Sequence, residues 1–375
     1  MFRWTLFSLA LASAGLGLLT VFKAPDWLSW KLVILAGEFG YWVALLPVGV
    51  AIAAGLAGRG AGPGAVATAA LALAGALLLL QPCFQAWLIG RGLPADLERA
   101  LGKVSLARHP FSARQLFGPA PSAVAKETFA YSGALQLDFY RAARRGPAPC
   151  VLLVHGGGWD DGERGQIPAF NFWLAAQGYA VADVSYRLAP QARWPAPRED
   201  LAAAVAFVEA RAQQLGVDRS RLVILGRSAG GQIAEATAYS MRDPAIRGVV
   251  GLYAPADLNF AYAWAREDDA LKSPHLLRQY LGGPPAAAAA AYASASAIGL
   301  VDAATPPTLL VHGRLDTLVW YRQSERLAAR LAAAGVPHYF LSLPWATHAV
   351  EYNLNGPGGQ LTAYALAWFL AAVTK

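Results

Sequence analysis

Gly226-Arg227-Ser228-Ala229-Gly230 follows the apolar run Leu222-Val223-Ile224-Leu225 and precedes a helical pattern that opens at Gly231. Alone, G-x-S-x-G is a modest signal in a chain rich in glycine and alanine. Between a strand and a helix it describes a tight turn. Such a turn forces Ser228 into strained backbone space and lifts its Oγ clear of the sheet edge. The flanking glycines are needed because a Cβ there would strike the neighbouring strand and helix. A serine so placed is a candidate nucleophile. The plain alternative is a turn serine without a role.

The sequence on either side alternates strand and helix. Short apolar runs at Cys150–Val154, Tyr179–Val184, Leu222–Leu225, Gly248–Tyr253, Thr308–Val311 and His338–Leu343 fit strands buried on both faces. Helical patterns occupy Pro168–Gln177, Arg198–Leu215, Gly231–Ser240, Tyr321–Ala334 and Gly359–Val373. Gly178, Gly216 and Gly335 stand where a C′ glycine ends a helix. Lys126–Arg141 alternates enough for one or two antiparallel strands. The pattern predicts an α/β fold with a mostly parallel, doubly wound sheet and helices on both faces. Asp257–Gly299 breaks the rhythm, with no strand run and an alanine run at Ala286–Ala291. It reads as a helical insertion over the C-terminal sheet edge, either a lid or a plain connection.

His155-Gly156-Gly157-Gly158-Trp159 follows the strand Cys150–Val154. Glycines let backbone N–H groups approach and aim at a developing oxyanion. Gly157 and Gly158 would supply two donors and Ala229 a third, with His155 bracing the loop. A nucleophilic serine needs a base, and the base an orienting acid. Of the six histidines, His348 lies on a loop between the last apolar strand and the final helix. His109 and His275 fall in undefined regions, while His312 and His338 belong to strands. Asp316 follows the penultimate strand on a short turn, and Asp257, Asp302 and Glu351 are weaker candidates. The order Ser228, Asp316, His348 is that of one serine-hydrolase fold among several.

HGGGW, Asp183-Val-Ser-Tyr-Arg-Leu-Ala-Pro190, Pro197-Arg-Glu-Asp200, GRSAGG, HGRLDTLV and THAVEY recur in one order from about Lys126 to Lys375. The run resembles the hormone-sensitive-lipase-like branch of the α/β-hydrolases, which includes carboxylesterases and arylacetamide deacetylase. The resemblance implies the α/β-hydrolase fold, a triad of Ser228, Asp316 and His348, and an oxyanion hole of Gly157, Gly158 and Ala229. It implies packing roles for Tyr186, Arg187 and Asp200. Arg227 departs from the acidic or polar residue often found before the serine and would put a cation at the site's edge.

The front of the chain has another character. Trp4–Phe22 and Gly60–Gly90 carry no charge, and Leu32–Gly58 carries only Glu38. A membrane span needs about 20 mostly apolar residues, so three transmembrane helices are expected near Trp4–Phe22, Leu32–Leu56 and Ala65–Trp87. A signal peptide is the alternative for the first and buried soluble helices for the others. Glu38 is a functional candidate if it lies inside a span, and an ordinary carboxylate if it lies at the interface. Orientation is poorly determined: Arg3 and Arg59 would share one side, Lys23, Lys31, Arg91 and Arg99 the other.

Composition agrees with this division. The chain has 375 residues, 56% apolar and 15% charged, against roughly 45–50% and about 25% in soluble domains. A disordered chain is excluded. Cys83 and Cys150 are too far apart for a zinc or redox pair. The net charge of +7 is spread without blocks, so nucleic-acid binding is not indicated.

The expected organisation is a membrane domain over 1–90, a linker and cap segment over 91–125, and a catalytic domain over 126–375 with its insertion at 257–299. The expected activity is a membrane-anchored serine esterase acting on short to medium acyl or acetyl esters without cofactor or metal. Its partners would be a small-molecule or lipid-like ester and membrane lipids, and its location a multi-pass seat in the cell membrane. An acyltransferase, a serine peptidase of the same fold and a silent binding module are the alternatives. Trp159, Trp264 and Trp345 would line an apolar pocket or sit in the core.

Overall fold

Eight strands form one sheet: β1 Lys126–Ser132, β2 Leu135–Tyr140, β3 Ala148–Val154, β4 Ala180–Val184, β5 Val217–Arg227, β6 Ile246–Leu252, β7 Thr308–Gly313 and β8 His338–Leu343. The computed structural model describes residues 2–57, 63–107 and 109–375. The strand order is β1-β2-β4-β3-β5-β6-β7-β8. β1 pairs antiparallel with β2, and β2 with β4. Every other pair is parallel. β3, β4 and β7 are buried along their whole length, as strands covered by helices on both faces must be. This is the mostly parallel α/β-hydrolase sheet.

β5 begins five residues before the run Leu222–Leu225 that marked it. Its first half, Val217–Arg221, is polar and partly exposed, so apolarity shows only the buried half. Gly178, Gly216 and Gly335 have positive φ at helix ends. The segment after β6 holds four short helices, Leu258–Trp264, Ser273–Leu281, Ala289–Ala295 and Ala297–Leu300. The alanine run is helical only in its second half.

The leader differs from the expectation of three spans. Its helices are α1 Phe2–Leu18, α2 Trp27–Glu38, α3 Gly40–Val43, α4 Leu45–Ala57 and α5 Pro63–Leu101. Among the described residues only α5 is long and apolar enough to cross a membrane. α1 is shorter, and the expected second span is broken, with the chain bent by 79° between Trp27–Glu38 and Gly40–Leu56. The break has a local cause. Gly40 lies against α5 so closely that a Cβ would stand 2.5 Å from the Leu79 carbonyl oxygen, and Glu38 turns inward.

Glu38 is buried where the leader meets the α/β unit. Its Oε2 accepts the backbone N–H groups of Gly358 (2.9 Å) and Gly359 (3.3 Å) at the start of the final helix, Pro357–Val373. Its carbonyl oxygen accepts from Asn353 Nδ2 at 2.8 Å. The leader is therefore docked on the α/β unit. α5 runs past residue 90 without a break, so the boundary drawn there falls inside a helix, and its Leu93 and Leu97 are buried in the core beside the final helix. Residues after Leu101 follow the same helix, with Ser112 N–H donating to Gln360 Oε1 at 2.8 Å. Arg59, used in the orientation comparison, lies outside the described residues.

Candidate active site

Ser228 stands between the last residue of β5 and the helix Ala229–Met241, with φ 52° and ψ −122°. A non-glycine residue in that region is strained and persists only where its surroundings enforce it. The surroundings are tight here. A Cβ on Gly226 would lie 2.1 Å from the Gly230 carbonyl oxygen, and one on Gly230 would lie 2.2 Å from the His155 carbonyl oxygen. Ser228 N–H donates to Leu252 O on β6 at 2.9 Å, which ties the turn to the sheet.

Asp316 follows β7, and its carboxylate is buried and fully engaged. Oδ1 accepts the N–H groups of Leu318 (2.8 Å) and Val319 (2.9 Å). Oδ2 lies 2.7 Å from His348 Nδ1 and 3.1 Å from His312 Nε2. Burial pushes the Asp316 carboxyl up, but the adjoining His348 and His312 rings outweigh it, and the group is held well below the usual carboxylate range. With a carboxylate facing Nδ1, the proton of a neutral His348 belongs on Nδ1, which leaves Nε2 as a free base. The His348 ring packs on Tyr253, with centroids 4.2 Å apart.

His312 adds what the sequence did not announce. Its Nε2 faces two acceptors, Asp316 Oδ2 and Val319 O (3.0 Å), so Nε2 carries a proton. Nδ1 lies 2.8 Å from Ser324 Oγ. The available signal was the spacing His312-Gly-Arg-Leu-Asp316, a strand end and a four-residue turn that return the aspartate to the histidine.

The glycine loop after β3 lies beside Ser228. Gly157 has φ 129° and Gly158 φ 60°. A Cβ on Gly157 would stand 2.0 Å from the Asp161 carbonyl oxygen. His155 is buried, its Nδ1 lies 2.8 Å from the Gly156 carbonyl oxygen, and its ring stacks on Tyr186 at 4.3 Å. Tyr186 OH donates to His155 O at 3.1 Å, so His155 braces the loop as the sequence suggested. Arg187 Nε donates to Asp200 Oδ1 at 2.8 Å, a packing role for that motif.

Arg227 lines the cavity beside Ser228, at the site's edge as expected, but its charge is paired inward. Arg227 is buried against the Phe170 ring, and its Nε donates to Glu351 Oε1 at 2.7 Å. Tyr253 OH donates to the same oxygen at 2.5 Å. Glu351 is thus the counter-ion of Arg227. Asp257 pairs with Arg326 and caps a helix, and Asp302 pairs with Arg242. Neither is hydrogen-bonded to His348. His109 and His275 are exposed, and His338 Nδ1 faces Val336 O at 2.8 Å.

Ser228 opens into two cavity lobes. One, about 380 Å³, is lined by Ala229, Trp159, Phe260, Trp264 and Leu276 beside Ser228 and Gly158. The other, about 530 Å³, is lined by Gly157, Gly158, Ser228, Tyr253 and His348. All six residues singled out from the sequence thus border the cavities or, for Asp316, hold a residue that does. Trp159 and Trp264 line the first lobe, while Trp345 is fully buried in the core.

The BD-FAE family model matches residues 137–331, more than half of the chain. Esterase LipC of Mycobacterium tuberculosis (strain ATCC 25618 / H37Rv) is 31% identical over 251 residues, 61% of this chain and 59% of that protein. The probable carboxylic ester hydrolase LipM of the same strain is 30% identical over 256 residues, covering 65% of this chain and 59% of its own. The chain therefore spans about three fifths of the length of these curated relatives. Among solved structures, a bacterial heroin esterase superposes with a TM-score of 0.60 at 26% identity, covering 70% of this chain and 88% of its own. With an α/β-hydrolase sheet, a strained serine turn and a family match that runs over β3 to β7 and that turn, the chain belongs to the BD-FAE family.

Proposed function

We propose that the chain is a serine hydrolase of carboxylic esters. Ser228 Oγ attacks the ester carbonyl while His348 Nε2 takes its proton. Asp316 keeps the imidazole in the Nδ1–H tautomer and stabilises the imidazolium. Backbone N–H groups of Gly157, Gly158 and Ala229 receive the oxyanion, the last from the head of a helix whose dipole favours negative charge. His348 returns the proton to the departing alcohol, and water cleaves the acyl-enzyme by the same route. Small esters are the substrate class suggested by the esterases among the relatives.

The observation that carries this proposal is the convergence on one cavity of a positive-φ serine, a histidine paired to a buried carboxylate, and a glycine loop. The leader supplies a seat on a membrane. α5 is long enough to cross it, and Trp4, Leu28, Leu56 and Leu77 present apolar surface on the neighbouring helices and on α5 itself. Patches of that extent mark a partner or a bilayer.

The test is hydrolysis of p-nitrophenyl esters from acetate to palmitate by detergent-purified protein beside Ser228→Ala. Turnover lost in the variant, with fluorophosphonate labelling of the parent alone, supports the proposal. No turnover and no labelling of the parent rejects it.

A further inference from the structure

The two lobes that meet at Ser228 are chemically unequal. The one lined by Phe260, Trp264 and Leu276 also holds Ala229 and Gly158, but not His348. The other holds His348. On the serine-hydrolase proposal, on which this inference rests, the leaving alcohol must sit beside the imidazole that protonates it. The lobe with His348 is then the alcohol side, and the lobe walled by Phe260 and Trp264 is the acyl side.

Part of the wall of the alcohol side comes from the leader. Trp27, Trp30 and Ile34, all on α2, line it together with Leu318 and Tyr352. The leader is held there by more than contact. Thr317 Oγ1, one residue past Asp316, donates to Ala24 O at 2.9 Å. Glu38 closes the other end of α2 on the final helix. Asp160, Asp161, Gln166 and Arg227 give the same lobe a polar side, opposite in character to the apolar side chains of α2. Trp27 is 44% exposed, and Leu28, Leu32 and Leu35 continue α2 outward as exposed apolar surface. A hydrocarbon leaving the site along α2 passes from Ile34 and Trp30 to Trp27, over whose ring Lys31 Nζ lies at 5.8 Å, and beyond that cation meets the exposed leucines that the proposed membrane seat would cover. A small alcohol buries too little apolar surface to gain from that path.

We propose that α2 is a substrate-binding element, and that the leader-facing lobe takes the hydrocarbon of a long-chain alcohol esterified to a short acyl group, a membrane-resident lipid ester. The reaction releases the lipid alcohol and transfers the short acyl group through Ser228 to water.

The experiment uses the full chain in phosphatidylcholine vesicles. It compares ethyl, hexyl and decyl acetate by acetate release, and p-nitrophenyl acetate with the butyrate as a probe of the acyl side. In the parent, kcat/KM is expected to rise at least tenfold from ethyl to decyl acetate. Ile34→Trp, which fills the lobe, should lower the decyl-to-ethyl ratio at least tenfold, chiefly through KM, and leave the butyrate-to-acetate ratio in place. Trp30→Ala supplies an independent variant, expected to move the same ratio. Trp4→Ala, 75% exposed on α1, should move neither ratio. Fluorophosphonate labelling of Ser228 reports that each variant is folded.

A decyl-to-ethyl ratio that is flat in the parent, or unmoved in both lobe variants, overturns the inference while p-nitrophenyl acetate turnover keeps the esterase proposal. A shift confined to the butyrate-to-acetate ratio assigns the lobe to the acyl side and also overturns it. No turnover and no labelling in the parent removes both.

Discussion

Arg227 Nε donates to Glu351 Oε1 at 2.7 Å, with the two side chains 2% and 0% exposed. The pair joins the residue before Ser228 to the loop that carries His348, so it fixes the serine turn against the histidine loop. Removing one partner leaves a buried charge uncompensated. Glu351→Ala is expected to cost about 3–5 kcal/mol of stability, read as a lower urea midpoint. Arg227 Nη2 and Glu351 Oε2 have no hydrogen-bond partner among the described residues. The double replacement Arg227→Met with Glu351→Leu should therefore recover most of that loss. A double variant as unstable as the single one would rule out charge burial as the cause.

Asp316 holds His348 through Oδ2 and is itself held by His312. Asp316→Asn would present an amide to the imidazole and favour the wrong tautomer. The expected loss in kcat is about 10³–10⁴-fold with KM little changed. His312→Asn removes a second donor to the same oxygen together with the contacts to Val319 O and Ser324 Oγ, and leaves His348 on Asp316, so a smaller loss in kcat is expected. Steady-state kinetics on p-nitrophenyl acetate separate the two. Equal losses would make His312 more than a support for Asp316.

Gly157 cannot carry a side chain without moving the loop, since a Cβ would stand 2.0 Å from the Asp161 carbonyl oxygen at a φ of 129°. Gly157→Ala is expected to displace an oxyanion donor and lower kcat by about 10²–10³-fold, with substrate binding largely kept. A variant with parental kcat would exclude this loop from transition-state binding.

The α/β core was legible because its chemistry is local. β8 has the bounds read from its apolar run, β3, β4 and β7 differ from theirs by one or two residues at one end, and β6 by two residues at its start and one at its end. Ser228, Gly157 and Gly158 were legible because a strained turn and a close backbone approach demand particular residues at particular spacings. What was missed depends on distant partners. Hydropathy counts apolar residues, and it does not register that Glu38 finds its N–H donors at Gly358 and Gly359 or that α2 bends where it does. The partner of Arg227 went unread for the same reason, since Glu351 lies on another loop and nothing near Arg227 in sequence names it.

Glu235 is fully buried on the helix behind Ser228, and neither carboxylate oxygen has a hydrogen-bond partner among the described residues. Burial pushes its carboxyl up to about 8 from an ordinary 4.5. The folded chain then binds a proton that the unfolded chain has released between those values. Stability should therefore fall as pH rises from about 4.5 to about 8 and level off above. Glu235→Gln keeps the shape and removes the titration, so its stability should exceed the parent's most at pH 8 and least at pH 4.5. Urea midpoints at the two pH values measure this. A parallel pair of curves would show that Glu235 does not titrate in this range.

Glu38 is the last test, because it asks whether the leader is part of the site or only attached to it. Its carboxyl Oε2 accepts two N–H groups at the head of the final helix. The same helix follows the loop Ala349–Asn355 that begins at His348. Glu38→Ala strands both donors in a buried place, at an expected cost of about 1–3 kcal/mol. The loss should fall on the contact between α2 and the α/β unit more than on the sheet. Hydrogen exchange should then quicken in Trp27–Glu38 and at the start of the final helix, while β3, β5 and β6 keep their protection. Because α2 walls one lobe, the same variant should lose activity on decyl acetate more than on ethyl acetate. Faster exchange without that change in preference would make Glu38 a docking residue alone and leave α2 without a part in choosing the alcohol.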